Sequence, residues 1–104
     1  MIHVTDHARE NFLLRQSDEP IDVYRGVDRD ICLLVETARG ASPAEIQQLR
    51  RWYSRLKDGY HIVMVNRHNN TNMFFILKEE GGKFILLTCT SDYAMKHHTR
   101  LKPV

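Results

Sequence analysis

The sequence predicts an α+β domain: a short N-terminal strand, two to three helices, then a C-terminal three-stranded antiparallel meander on which the helices pack. Three observations carry this reading. Apolar residues recur at three- and four-residue steps through the first half, Ser42-Pro43-Ala44-Glu45 forms a helix-start signature, and three apolar runs beyond residue 60 are separated by two short turn-forming segments.

Ile2 and Val4 alternate with His3 and Thr5, which suits a short strand. A first helix is expected from Asp6 to about Gln16, because Thr5 or Asp6 can accept its first N–H groups and Ala8, Phe12, Leu13 and Leu14 give it an apolar side. Pro20 suits the first turn of a second helix, along which Ile21, Tyr24, Val27, Ile31, Leu34, Val35 and Ala38 follow to a stop at Gly40; Gly26 weakens that run locally. At Ser42 the hydroxyl can take the N–H of Glu45, Pro43 needs no partner, and the Glu45 carboxylate can reach back, so a third helix starts there. Ile46, Leu49, Tyr53 and Leu56 should line one side of it with Trp52 beside them, Arg50, Arg51, Arg55 and Lys57 on the flanks, and Asp58-Gly59 as the stop. Residues 61–66, 73–77 and 84–90 read as strands, joined by a turn over residues 68–72 and another at Glu80-Gly81-Gly82-Lys83. Two of these runs have almost no polar alternation, so the sheet is expected to be covered on both faces.

The 104 residues suit one domain over residues 1–104, with a shallow groove rather than a deep pocket. The formal charge of +2 conceals an asymmetry: residues 1–38 hold four arginines against eight acidic residues, and residues 39–104 hold eleven basic against five acidic. Cys32 and Cys89 each sit in an apolar run and read as reduced core thiols. No apolar run approaches the roughly 18 to 20 residues that span a membrane, and no leader pattern opens the chain, so a cytoplasmic protein with no membrane partner is expected.

Common catalytic signatures are missing: there is no Gly-rich phosphate loop, paired-Cys zinc spacing, His-Glu-x-x-His or Gly-x-Ser-x-Gly. No cofactor is expected, and no metal: His61, His68, His97 and His98 would have to converge from distant sequence, adjacent His97 and His98 would point to opposite sides of an extended chain, and neither Cys has a partner at short spacing. The chain does hold six histidines, the side chain that both gives and takes a proton near neutral pH. Four-residue spacing stacks His7, Asn11 and Arg15 along one side of the first helix, placing an acid–base group beside a phosphate-binding cation. The plainer reading is a solvated helix face on which Asp6 and Glu10 offset Arg9 and Arg15. A second group, Thr88, Thr90, Ser91 and Tyr93, precedes the basic stretch Lys96-His97-His98-Thr99-Arg100-Leu101-Lys102. Such a stretch can neutralise phosphates, or it can be a frayed tail. Arg67 and His68 at the first hairpin can join the same groove or build a solvated turn, and His61 reads as structural.

A short strand, His7-Ala8 through Arg15 on the first helix, a second helix, and a meander ending in Leu87-Thr88-Cys89-Thr90 resemble the RelE/ParE-type small ribonucleases, the barnase/EndoU/colicin/RelE fold. Asn11 departs from the pattern where those proteins carry an arginine. The resemblance implies metal-independent RNA cleavage by 2′-OH attack on the adjacent phosphate, in toxins and phage or mobile-element proteins. It makes His7 the leading acid or base and Arg15 the phosphate clamp, has Thr88 and Tyr93 line the groove, and offers His97 as the second proton-transfer group. RNA would lie on Arg9, Arg50, Arg51, Arg55, Arg67, Lys96, Arg100 and Lys102.

Two other classes stay open. One is a non-catalytic phage or mobile-element module of similar fold that binds a protein antitoxin, inhibitor or host target, with exposed Trp52 and Tyr53 as anchors. The other is a nucleic-acid-binding regulator in which no proton transfer occurs.

Overall fold

A computed structural model describes residues 2–15 and 26–97, without the side chains of residues 14, 15 and 97. The order is β1 (Ile2–Val4), α1 (Asp6–Arg15), α2 (Val27–Glu36), β2 (Arg39–Gly40), α3 (Pro43–Trp52), β3 (His61–His68), β4 (Thr71–Glu80), β5 (Lys83–Ser91) and α4 (Asp92–His97). The fold is α+β, with helices packed on a sheet.

The expected meander forms the middle of that sheet, and two further strands extend it. β1 pairs in parallel with β5, Ile2 opposite Phe84, and β2 pairs antiparallel with β3, Arg39 opposite Val65. The result is a five-stranded mixed sheet in the order β1-β5-β4-β3-β2, in place of three antiparallel strands. Both hairpins turn on two residues with positive φ, Asn69 and Asn70 (51° and 61°) and Gly81 and Gly82 (58° and 78°). That geometry matches the right-handed twist of the flanking strands.

β4 is the central strand, and its alternation explains the layers. Met73, Phe75 and Leu77 face one side, where α1 and α2 cover them with Ala8, Phe12, Val27, Ile31 and Val35. Phe74 and Ile76 face the other, where α3 and α4 bring Leu49, Trp52 and Met95, with Leu56 beyond the end of α3. A helix on each side leaves the five residues from Met73 to Leu77 buried.

Helix ends account for the remaining differences. Thr5 caps α1 by accepting the Ala8 N–H at 3.1 Å, and its hydroxyl donates to the Leu86 carbonyl at 2.9 Å, tying the helix start to β5. Gly26 stands at the N-cap of α2 rather than inside a longer helix, and the expected start at Pro20 lies outside the described residues. α2 stops at Thr37, not Gly40, because Thr37 and Asn66 satisfy its last carbonyls: Thr37 Oγ1 donates to the Leu33 carbonyl, and Asn66 Nδ2 to that of Leu34. Arg39 and Gly40 are thereby released to pair as β2.

The full capping box is present at Ser42 and Glu45. α3 ends at Trp52 instead of continuing to Lys57; a turn closed by the Leu56 N–H on the Tyr53 carbonyl brings Leu56 back to the cluster that holds Trp52. Ahead of the basic stretch, and taking in Lys96 and His97 of it, α4 forms; residues 98–102 of that stretch lie outside the described residues. Ser91 Oγ accepts the Ala94 N–H at 2.9 Å, and the Asp92 carboxylate accepts from Thr71 Oγ1 and from the Asn72 and Tyr93 N–H groups. No helix among the described residues is long and apolar enough to cross a membrane.

Candidate functional site

The residues that converge on α1 form a chain of polar contacts. His7 and Asn11 are one helical turn apart, with His7 Nε2 3.1 Å from Asn11 Nδ2. The same amide nitrogen donates to Thr88 Oγ1 at 2.7 Å. Asn11 is only 7% exposed and Thr88 is fully buried, whereas His7 is half-buried at the rim. Thr88 sits at a β-bulge: Leu77 opposes Leu86 and Ile76 opposes Thr88, leaving Leu87 unpaired between them.

The chemistry follows from counting hydrogens. An amide nitrogen has two; one goes to Thr88, and the same nitrogen faces His7 Nε2, where the direction of the bond follows the tautomer of the ring. A half-buried imidazole thus has one ring nitrogen, Nε2, held by a buried amide. Asn11, where the sequence departs from the ribonuclease pattern, orients the histidine instead of binding a phosphate. Its place four residues after His7 and on the buried side of the helix was the available signal.

Several predicted residues stand elsewhere. Thr88, expected to line a groove, is enclosed, as are Thr90 and Ser91. Tyr93 on α4 is 62% exposed. The backbones of Arg15 and His97 close α1 and α4, but their side chains, like Arg100 and Lys102, lie outside the described residues. Arg9 does not substitute for a phosphate clamp: Nε and Nη2 bond to the Asp28 carboxylate at 2.6 and 2.8 Å and Nη1 to Asp6 at 2.7 Å. Those carboxylates, Asp28 first, raise its pKa further, and Arg9 holds the Asp28 carboxyl below its ordinary value. His68 stacks on Phe12, with ring centroids 5.3 Å apart, and burial keeps its pKa below the ordinary 6.5 against the opposing pull of Asp30. His61 packs edge-on to Tyr53 and Tyr60, and its Nδ1 accepts the Lys57 N–H.

The basic residues gather across the sheet from His7. α3 carries Arg50 and Arg51 and α4 carries Lys96, on the side opposite α1, while Arg55 follows α3. Arg50 bonds to Asp58 at 2.5 Å. Arg67 lines a polar cleft of about 440 Å³ with Thr37, Arg39, Asn66 and Asn72. Trp52 is buried (4% exposed) and Tyr53 half-buried, so neither is the exposed anchor expected of a partner site. Exposed apolar side chains lie elsewhere, at Leu33, Tyr60, Ile62, Phe84 and Tyr93.

Cys32 and Cys89 are thiols. Among the described residues, no three His, Cys, Asp or Glu side chains converge as metal ligands. Compared with known proteins, the chain matches no family model, no curated protein and no solved structure.

Proposed function

We propose that this protein acts on RNA in the cytoplasm, as a small metal-independent endoribonuclease of the RelE/ParE-like type, with His7 as its principal proton-transfer group. The observation that supports this is the buried Asn11–Thr88 pair, which holds Nε2 of the half-buried His7. A buried amide and hydroxyl committed to orienting a rim imidazole are the supporting shell that acid–base chemistry needs.

In the proposed reaction the ribose 2′-oxygen attacks the adjacent phosphorus, its proton passing to a base, while the bond to the 5′-oxygen breaks. His7, charged as the imidazolium with the Asn11 amide turned to present its oxygen to Nε2–H, gives its Nδ1 proton to that leaving oxygen and is left neutral, and a 2′,3′-cyclic phosphate remains. His97 is the proposed base and Arg15 the proposed clamp on the phosphorane charge.

A mixed RNA pool incubated with chelator should yield cyclic-phosphate ends with the native protein and none with His7→Ala. Undiminished cleavage by His7→Ala would remove His7 from the reaction.

A second reading, nucleic-acid binding without cleavage, is favoured by the position of Arg51 and Lys96 across the sheet from His7. It predicts RNA affinity that falls steeply with salt and no products under the same conditions.

A further inference from the structure

A cleft of about 650 Å³ lies between α3 and α4, lined by Gln48, Arg51, Trp52, Met95 and Lys96. Its floor is apolar, because Trp52 and Met95 are buried in the cluster beneath. Its rim is cationic, and no carboxylate lines it. Elsewhere in the described structure Arg9, Arg39, Arg50 and Lys78 each bond to a carboxylate, whereas Arg51 and Lys96 form no ion pair among the described residues. Two positive side chains at one cleft repel each other, and an anion between them relieves that repulsion.

A second, independent feature marks the same place. Trp52 Nε1 is buried and has no acceptor among the described residues. An enclosed donor without an acceptor carries a desolvation cost, so Trp52, a residue that lines this cleft, leaves the described residues short of one acceptor. Gln48 stands one helical turn before Arg51 and Trp52 and adds a side-chain amide donor to the same side of α3. The cleft thus gathers two cations and an amide that can donate, over an apolar floor. A ligand for it must be negatively charged and rich in acceptor oxygens.

We propose that the cleft between α3 and α4 is a phosphate-binding site, in which Arg51 and Lys96 hold a phosphoryl group over Trp52. The phosphoryl group belongs either to an RNA strand or to a free nucleotide. The RNA source rests on the function proposed above, whereas the site does not, since it lies across the sheet from His7.

The test uses the single tryptophan of the chain, which is Trp52 itself. Its emission is followed while the full chain is titrated, at constant ionic strength, with inorganic phosphate, adenosine 5′-monophosphate and a short single-stranded RNA. Calorimetry runs in parallel, and sodium chloride serves as the control. A saturable change with phosphate-bearing ligands, absent with chloride, is expected. Arg51→Glu/Lys96→Glu should weaken it by roughly tenfold or more, because two charge-assisted contacts are replaced by repulsion. Both changes are at exposed positions, and circular dichroism checks that the fold is kept.

RNA binding more tightly than the mononucleotide identifies a strand as the source, and the reverse order identifies a free nucleotide; either supports the site. No saturable signal and no heat with any of the three ligands, or unchanged affinity in the double variant, overturns it. Binding of inorganic phosphate is read with no RNA present, so failure of RNA cleavage and failure of the cleft are read separately.

Discussion

Asn11 and Thr88 are 77 residues apart in sequence and 2.7 Å apart in the folded protein. Their bond joins α1 to the bulged part of β5 and holds His7 through the same amide nitrogen. Thr88→Val keeps the shape and leaves the Asn11 amide short of an acceptor; Asn11→Ala strands the Thr88 hydroxyl. Each should cost about 1 to 3 kcal/mol, read from urea unfolding midpoints. Any cleavage activity should fall further in Asn11→Ala than its loss of folded protein explains, because His7 then loses its fixed orientation.

The start of α3 gives a pH-dependent prediction. The Glu45 carboxyl is held at about 2, below its ordinary 4.5, first by Arg39 and then by the Ser42 hydrogen bonds. A depressed carboxyl contributes stability that is complete above its ordinary value and lost as pH falls towards the folded one. Denaturation midpoints should therefore drop between about pH 5 and pH 2. Glu45→Gln should flatten part of that drop, and Ser42→Ala should cost about 1 kcal/mol at neutral pH.

Histidines act in the window above. Burial, followed by the charges of Lys57 and Lys78, holds His61 below its ordinary 6.5, and burial does the same for His68. As pH falls through that ordinary value the unfolded chain takes up protons first, so folded stability declines from about pH 7 towards pH 5. Protonation of His61 at Nδ1 also removes the acceptor of the Lys57 N–H. The pair of changes His61→Gln and His68→Phe should reduce the slope of stability against pH over this range; an unaltered slope would locate the proton uptake elsewhere.

The two hairpins differ in how they meet the same backbone demand. Gly81 and Gly82 adopt positive φ without side-chain conflict, so Gly81→Ala and Gly82→Ala should each destabilise by about 1 to 2 kcal/mol. Asn69 and Asn70 already bear part of that strain. Asn70→Gly should be neutral or slightly stabilising by the same denaturation assay.

Local chemistry was the legible part of the sequence. Ser42-Pro43-Ala44-Glu45, the two turn segments and the three apolar runs specify α3 and the hairpins without reference to anything distant. β1 and β2 were not legible as parts of one sheet, because Ile2 finds Phe84 from across the chain and Arg39-Gly40 is too short to show a period. α3 buries Leu49 and Trp52, joined by Leu56 from the turn that follows, where the expected stripe ran through Leu49, Tyr53 and Leu56; helix termination at Trp52 makes that tryptophan a core residue in place of an exposed anchor. Ser91-Asp92 ahead of Tyr93-Ala94-Met95 was a readable helix start, masked by the basic residues that follow it. The site was half visible: periodicity places His7 above Asn11, but only the tertiary fold brings Thr88 to meet them.

The parallel pairing of β1 with β5 also orders events in time. As the chain is synthesised, Ile2 to Val4 wait for the backbone they bond to, which is made more than eighty residues later. α1 waits with them, since Thr5 is tied to Leu86 and Asn11 to Thr88. His7 can therefore be seated only after β5 has left the ribosome. The His7–Asn11–Thr88 arrangement is thus absent from the nascent chain until β5 is in place.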